Sequence, residues 1–372
     1  MSHSKIYMIL IVALLRAGAA QTFAQTVAPK QGEPKLIATL QNAAASQKEK
    51  VDACRQLAII GGKGSIAPLA ALLGDEKLSH MARYALERNP DPAVDQVLRD
   101  ALGKLKAGPL VGVITSVGVR RDAKAVPAMA GLLSDSDAVV ARAAARAMGS
   151  IGNSEAAGIL QKVLPKAAAD RQLDVCEGLL RSAERLTADG QKEQAIAIYD
   201  QLRALDGAHQ VRAAGLRGAI LARGAAGLSL LQEHLRSNDY ILFSAAVQTS
   251  QAMPGAEVTK ALLDAMKDLP ADNQIVVIQA LGLRADKQVV PALLAVAKAG
   301  PTPVRVAAVR AATEMGDASA VPVLVTLLDD ADRRSPTPHR TASSRCPARR
   351  PTPRLWRCSV AAIPRSNSRP ST

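Results

Sequence analysis

Aromatic side chains are scarce in this sequence. Among its 372 residues there are one Trp, four Tyr and two Phe, although 48% of the residues are hydrophobic. The strands of β-sandwiches and β-barrels rely on aromatic and β-branched residues, so the shortage argues against both folds. The apolar content is too high for a wholly disordered chain. Because Ala and Leu are abundant and favour helices, we expect an all-α protein with a buried core.

Net charge is also nearly absent from the central part of the chain. Of the formal net charge of +14, residues 333–372 contribute +10, from ten arginines without an acidic residue, and residues 1–25 contribute +2. Residues 26–332 therefore carry only +2. A near-neutral body gives no support for binding to a phosphate backbone, and we expect no nucleic-acid partner.

A basic start and a short apolar run mark the N-terminus. Lys5 precedes ten apolar residues at 6–15, and small residues follow. This pattern is typical of a secretory signal peptide, cleaved after Ala24 or Ala19, because ten apolar residues are too few to span a bilayer. The alternatives are an uncleaved anchor and a misassigned start. We expect a signal peptide at 1–24 and a periplasmic or extracellular protein that does not insert into the membrane.

The two segments that flank the central body have different compositions. We expect residues 25–49 to form a linker and a capping helix. Residues 333–372 are rich in Arg, Pro and Ser and have no helical period. They are either a disordered basic tail or a translation in the wrong frame, since residues 329–332 resemble the start of another repeat that then stops. We assign no function to this segment.

The central body contains an internal repeat. One element has apolar or small residues at helical spacing and ends on Gly, which is typical of a helix that ends in a turn. A second element has a Pro five residues after its start. The first element occurs at 140–153, 211–224 and 304–317, and the second contains Pro127, Pro291 and Pro322, with a degenerate copy at 63–73.

The spacing of the second element predicts a regular array of helices. Asp can cap a short first turn before each Pro, which is tolerated there because the first turn of a helix needs no N–H. The period is about 32 residues, as in solenoids built from helix pairs. The predicted second helices begin near residues 66, 92, 125, 155, 193, 226, 257, 289 and 320. We expect about nine pairs between residues 50 and 332.

The repeat resembles the HEAT repeat, in particular the variety found in phycobilisome lyases. The phrase V-A-R-A-A-A-R-A-M-G-S-I-G-N at 140–153 and the A-V-P phrases of the second element carry this resemblance. It implies a right-handed α-α superhelix in which arginines of the first helices bridge neighbouring repeats. The residues at the matching positions are Arg142, Arg212 and Arg305.

Two stretches within the array have their own resemblances. Residues 76–122 resemble a phrase in secreted HEAT-repeat proteins of planctomycete and verrucomicrobial type, and no activity comes with that phrase. Residues 188–203 have the Gly, Ala and Tyr spacing of a tetratricopeptide helix pair. We therefore expect one divergent pair near residues 170–205.

The sequence offers no recognisable catalytic or metal-binding constellation. Cys54 and Cys176 are separated by nearly four repeats, too far for a disulfide in a solenoid, and we interpret both as small buried residues. Cys346 and Cys358 lack zinc-ligand partners at the usual spacing, and the histidines lie far apart. P-loops and nucleophile elbows are missing as well. We expect no catalytic residue, cofactor or metal ion.

One cluster of polar residues is a candidate interaction patch. Arg120 and Arg121 lie at a repeat turn, and His80, Arg83 and Tyr84 belong to the same family phrase. The arginines are either partners in a salt bridge between repeats or part of a docking surface.

The sequence as a whole favours a monomeric, non-catalytic, secreted scaffold that binds another protein along the concave face of the solenoid. The alternative, by fold analogy alone, is a lyase-like or accessory protein that handles a small molecule or cofactor. The sequence leaves the identity of the partner and the binding face open.

Overall fold

The computed structural model describes residues 32–206, 208–316 and 321–322. The regular structure in these ranges is entirely helical, and they contain no β-strand, which confirms the predicted fold class. Helix α1 (Glu33–Gln41) precedes a series of helix pairs. The first helices of the pairs are α2 (Gln47–Ile60), α4 (Ser79–Arg88), α6 (Ala107–Arg120), α8 (Ala138–Ile151), α10 (Ala169–Ala188), α12 (His209–Arg223), α14 (Tyr240–Ser250), α16 (Ala271–Arg284) and α18 (Thr302–Glu314).

The second helices alternate with these along the chain. They are α3 (Ile66–Ala70), α5 (Ala93–Leu102), α7 (Val126–Leu132), α9 (Ser154–Val163), α11 (Lys192–Arg203), α13 (Gly227–His234), α15 (Ala256–Met266) and α17 (Val290–Ala299). Each begins within one residue of its predicted start, and the start predicted near residue 320 lies outside the described residues. The period of the apolar and proline pattern therefore predicts the helices of the solenoid correctly.

Aspartates and prolines fix where second helices begin. Asp122 Oδ1 accepts a hydrogen bond from the Lys124 N–H at 3.1 Å, and Asp286 Oδ1 accepts one from the Gln288 N–H at 3.1 Å. Each aspartate caps a short 3₁₀ turn that leads into α7 or α17. Pro127 and Pro291 then occupy the first turn of the α-helix, where a missing N–H costs nothing. Pro322 also has helical backbone geometry.

Small residues bring neighbouring first helices into close contact. A Cβ at Gly118 of α6 would lie 2.8 Å from Ala147 Cα of α8. A Cβ at Gly149 of α8 would lie 2.6 Å from the carbonyl oxygen of Gly178 in α10. Ala and Gly are therefore required at these contacts, because a larger side chain would not fit between the two helix backbones.

The pair α10 and α11 interrupts the regularity of the stack. Helix α10 has 20 residues and is the longest helix in the described part of the chain. The aromatic ring of Tyr199 in α11 lies against Gly218 of α12, where a Cβ would approach the ring to 2.2 Å. Tyr199 is buried, so this pair retains one of the few aromatic side chains as core.

Helix α1 packs against α2 and extends the stack towards the N-terminus. Its buried Glu33 accepts a hydrogen bond through Oε1 from the Gly62 N–H at 2.8 Å. The predicted signal peptide and the basic segment 333–372 lie outside the described residues. No helix within the described ranges is both long enough and apolar enough to cross a bilayer.

The glycine contact between α8 and α10 gives a test of this packing. Gly149→Ala should lower the free energy of unfolding by about 1 to 3 kcal/mol, because the methyl group overpacks the contact with Gly178. Gly158→Ala in α9 is the matched control, since no atom lies within 4 Å of the added Cβ. It should raise stability by about 0.5 to 1 kcal/mol through helix propensity. Urea unfolding followed by circular dichroism measures both, and equal effects would contradict the close contact.

Candidate interaction surface

Two of the arginines that the repeat pattern marks connect adjacent repeats. Arg142 Nε in α8 lies 3.0 Å from Asp174 Oδ2 in α10. Arg212 Nη1 in α12 lies 2.9 Å from Asp239 Oδ2, and Asp239 also caps the start of α14. Arg305 lies on α18 and is half-buried. The hydrogen bond to Asp174 raises the pKa of Arg142 above its usual value.

Arg120 has a buried structural role in the turn of the preceding repeat. Its guanidinium pairs with Asp95 of α5, and its Nη1 donates to the Asn89 carbonyl oxygen at 2.6 Å. Only 11% of the Arg120 side chain is exposed. The neighbouring Asp122 pairs with Arg99 of α5, so two ion pairs join these repeats.

Arg284 plays the same part at the end of α16. Its guanidinium donates to the carbonyl oxygens of Met253 at 2.9 Å and Gly255 at 3.1 Å, both in the preceding turn. Burial lowers the pKa of Arg284 from its usual value. The shared phrase is G-x-R-x-D, at 118–122 and 282–286. Sequence reasoning noted the aspartate of this phrase but missed the recurrence of its arginine.

The five residues of the predicted interaction patch do not form one exposed surface. Arg83 is half-buried and donates from Nη1 to the Gly112 carbonyl oxygen at 3.2 Å, and Arg120 is bonded within the stack. His80 and Arg121 are exposed, as is Tyr84, whose ring centre lies 5.3 Å from Arg88 Cζ. Two arginines of the patch therefore bond to backbone carbonyls of the stack, and His80, Tyr84 and Arg121 are its members with exposed side chains.

Exposed apolar side chains occur on one side of the helix pairs. In residues 32–206 and 208–316, every large hydrophobic side chain that is exposed lies on a first helix and none lies on a second helix. The one exception among the described residues is Val321, which belongs to the second element of the last repeat and is 54% exposed. We call the side that they mark the first-helix face. Its members are Ile59, Tyr84, Val119, Val139, Leu173, Tyr240, Ile241, Leu283 and Val306.

Three adjoining grooves cross the first-helix face between α6 and α12. The first, of about 430 Å³, lies between α6 and α8 and has Val119 and Val139 on its walls. The second, of about 440 Å³, lies at the ends of α6, α8 and α10 over Gly149. The third, of about 370 Å³, lies between α10 and α12 and reaches Tyr199. Arg181 lines the first two and Glu184 the last two, so we treat the three as one trough.

The trough is lined by many more basic than acidic side chains. Its single acidic lining residue is Glu184. Its arginines are Arg121, Arg142, Arg146, Arg181, Arg185 and Arg217. Sequence reasoning missed most of them, although the i, i+4 spacing of Arg142 with Arg146 and of Arg181 with Arg185 was visible as a signal of one basic helix face.

The described residues contain no cluster of His, Cys, Asp and Glu that could hold a metal ion. Cys54 and Cys176 are buried, and burial raises the pKa of each thiol to about 11. A thiol with such a pKa is almost wholly protonated at neutral pH and is a poor nucleophile.

The contribution of Arg120 to stability can be tested by comparing its substitution with that of the neighbouring Arg121. Arg120→Met keeps the side-chain stem but leaves Asp95 and the Asn89 carbonyl unpaired, so the free energy of unfolding should fall by about 3 kcal/mol. Arg121→Met removes the same charge from an exposed position and should change it by less than about 0.5 kcal/mol. Chemical denaturation of the two variants measures the difference, and equal losses would contradict a specific role for Arg120.

The buried thiols give a second test. Cys54 and Cys176 should resist iodoacetamide in the folded protein at pH 8, about three units below their pKa, and should react after unfolding in urea. Peptide mass spectrometry assigns the label to each cysteine separately. Labelling of either thiol in the folded protein at the rate seen in urea would show that it is accessible and ionised.

Comparison with known proteins identifies the repeat. The model of the family described as HEAT repeats matches residues 85–179 and 259–336. No curated protein matches the sequence.

Solved structures that are similar to the chain include three helical-repeat proteins. Human deoxyhypusine hydroxylase in complex with glycerol is 17% identical and has a TM-score of 0.29, with 77% of this chain and 96% of that chain covered. YibA of Escherichia coli is 20% identical and has a TM-score of 0.37, with 67% of this chain and 90% of that chain covered. The complex of CpcE and CpcF of phycocyanin lyase from Nostoc sp. PCC7120 is 17% identical and has a TM-score of 0.30, with 80% of this chain and 99% of that chain covered. The family match shows that this chain contains HEAT repeats, in agreement with its repeated phrases and its stacked helix pairs.

Proposed function

We propose that this protein is a non-catalytic, exported scaffold that binds another protein along its first-helix face between α6 and α12. The observation that carries the proposal is the one-sided distribution of exposed apolar side chains. Val119 and Val139 are 57% and 52% exposed, and they lie on the two helices that enclose the first groove. Exposed apolar surface that is gathered on one face and bordered by polar residues marks interaction sites in soluble proteins.

The packing of the helices supports the same face. First helices pack on one another throughout the series, and α8 and α10 touch at Gly149 and Gly178, whereas second helices contact each other less. A stack curves towards the side on which its members lie closer together. The first helices from α6 to α10 then lie on the inner side of the curve, which is where solenoids present continuous binding surfaces.

Binding rather than catalysis follows from the chemistry of the side chains. The trough offers arginines, small residues and valines, and its one acidic residue, Glu184, has no cysteine or histidine beside it among the lining residues. General acid–base or nucleophilic catalysis needs an activated group held by a second titratable partner. We place the protein in the periplasm or outside the cell, because its N-terminal sequence has the pattern of a signal peptide.

A pull-down with surface variants tests this function. Mature protein that carries both Val119→Glu and Val139→Glu should retain at least about tenfold less of the partner from a periplasmic extract than the unaltered protein does. The reason is that two apolar contacts buried by the partner become unpaired charges. Ala128→Glu, at an exposed position of the second helix α7, is the matched control and should retain the partner.

Two results would overturn the scaffold. One is retention of the partner by the double variant at the level of the control. The other is recovery of no protein partner together with a small molecule that co-purifies, which would favour the accessory or lyase-like alternative. Circular dichroism of the three proteins verifies that the substitutions leave the helices intact.

A further inference from the structure

We infer that the partner enters the trough as an acidic, extended peptide segment with apolar side chains among its carboxylates. This rests on the proposed function and adds the chemistry of the partner. The first observation is the local charge. Residues 26–332 carry a net charge of only +2, and the trough is lined by six arginines and one glutamate. Four of these arginines pair with Asp174, Glu177 and Asp189 beside the lining, so six arginines against four carboxylates leave a local excess of two positive charges. A basic surface on a near-neutral body selects an acidic ligand by electrostatic complementarity.

The arginines are available to a ligand because their side chains are nearly half exposed and their ion pairs leave some of the guanidinium donors unused. Arg142 and Arg146 use Nε to pair with Asp174 and Glu177, so their Nη groups remain as donors for a carboxylate. The side chains of Arg142, Arg146 and Arg181 are 44%, 45% and 47% exposed. Water around these guanidinium groups weakens their present ion pairs, so an incoming carboxylate can share the arginines at little cost.

The apolar side chains of the trough indicate that the ligand also carries apolar groups. The first groove has Val111, Val119 and Val139 beside its arginines, and the third has Leu180 and Leu221 near the buried ring of Tyr199. Apolar side chains of a ligand would remove these surfaces from water, which polar phosphate chains cannot do. Tyr199 is 6% exposed and offers no open face for a base to stack on. The lining therefore favours an acidic peptide over a nucleic acid.

The direction and length of the segment follow from the arrangement of the helices. The trough crosses α6, α8, α10 and α12, and three steps between packed helices of about 8 to 10 Å give about 24 to 30 Å. An extended chain advances about 3.3 Å per residue. A segment of about eight residues, running across the helices, would therefore reach from the valines of the first groove to Leu221.

Selection from random peptides tests this chemistry without knowledge of the natural partner. Phage that display random peptides of about twelve residues are selected on the mature protein. The selected peptides should be enriched in Asp and Glu and contain apolar residues among them. A selected peptide, labelled with fluorescein, should bind in fluorescence anisotropy with an affinity that falls as salt is raised, because the contacts are charged and solvent-accessible.

Charge-removing variants locate the binding site. Arg146→Ala combined with Arg181→Ala should lower the affinity for the labelled peptide by at least about tenfold, because two charge-assisted contacts are lost. Arg55→Ala combined with Arg88→Ala removes the same charge from exposed positions on α2 and α4, outside the trough, and should change binding by less than about twofold.

Several outcomes would overturn the inference. They are the selection of neutral or basic peptides, the selection of none, equal effects of the two double variants, and displacement of the peptide by single-stranded DNA at an equal concentration of charge. The proposed function is judged separately, by the effect of the Val119 and Val139 substitutions on the pull-down. A partner lost in that experiment but unaffected by the trough arginines would leave the scaffold in place and reject the acidic segment.

Discussion

Close contact between the backbones of neighbouring first helices is the constraint on which this structure depends. Gly118, Gly149 and Gly178 lie where an added methyl group would meet a neighbouring first helix at 2.8 Å or less. Such contacts cannot be made by the aromatic and large aliphatic residues that fill most protein cores. The scarcity of Phe and Trp is therefore a consequence of the spacing of the helices, and the same small residues leave open the shallow grooves above them.

In the close stack, backbone carbonyl oxygens in the turns need hydrogen-bond donors, and arginines supply them. The last carbonyls of a helix have no partner within that helix, and this leaves acceptors in the turns that follow α4 and α14. Arg120 and Arg284 reach back from the following repeat and donate to them, and Asp95 neutralises the charge of Arg120. A buried guanidinium is tolerated there because it is hydrogen-bonded on several sides. Glycine and arginine in the phrase G-x-R-x-D thus act together, one allowing the approach and the other joining the turns.

The sequence was sufficient for the helices and insufficient for the surface. Apolar spacing and prolines such as Pro127 placed each described second helix within one residue, because these signals act within a single turn of helix. The sequence does not separate the surface residues from the bonded ones: Arg120 and Arg121 are neighbours in sequence, yet one is bonded inside the stack and the other is exposed. Arg121 follows the last residue of α6 in a left-handed backbone conformation with φ 56, and an arginine at such a position gives no sequence signal. The trough arginines come from three helices and from the turn after α6, so their convergence is a property of the stack.

Arginine has two distinct roles in this protein, and exposure separates them. Arg120 is 11% exposed and bonds to groups that would otherwise be buried without partners, so its loss removes stability. Arg146 and Arg181 are 45% and 47% exposed and pair with the same Glu177, so that one carboxylate is shared by two cations. A second carboxylate between them would neutralise the positive charge that remains when Glu177 alone pairs with both arginines. The stack and the trough therefore use the same residue type, and what differs is whether the charge is already satisfied within the fold.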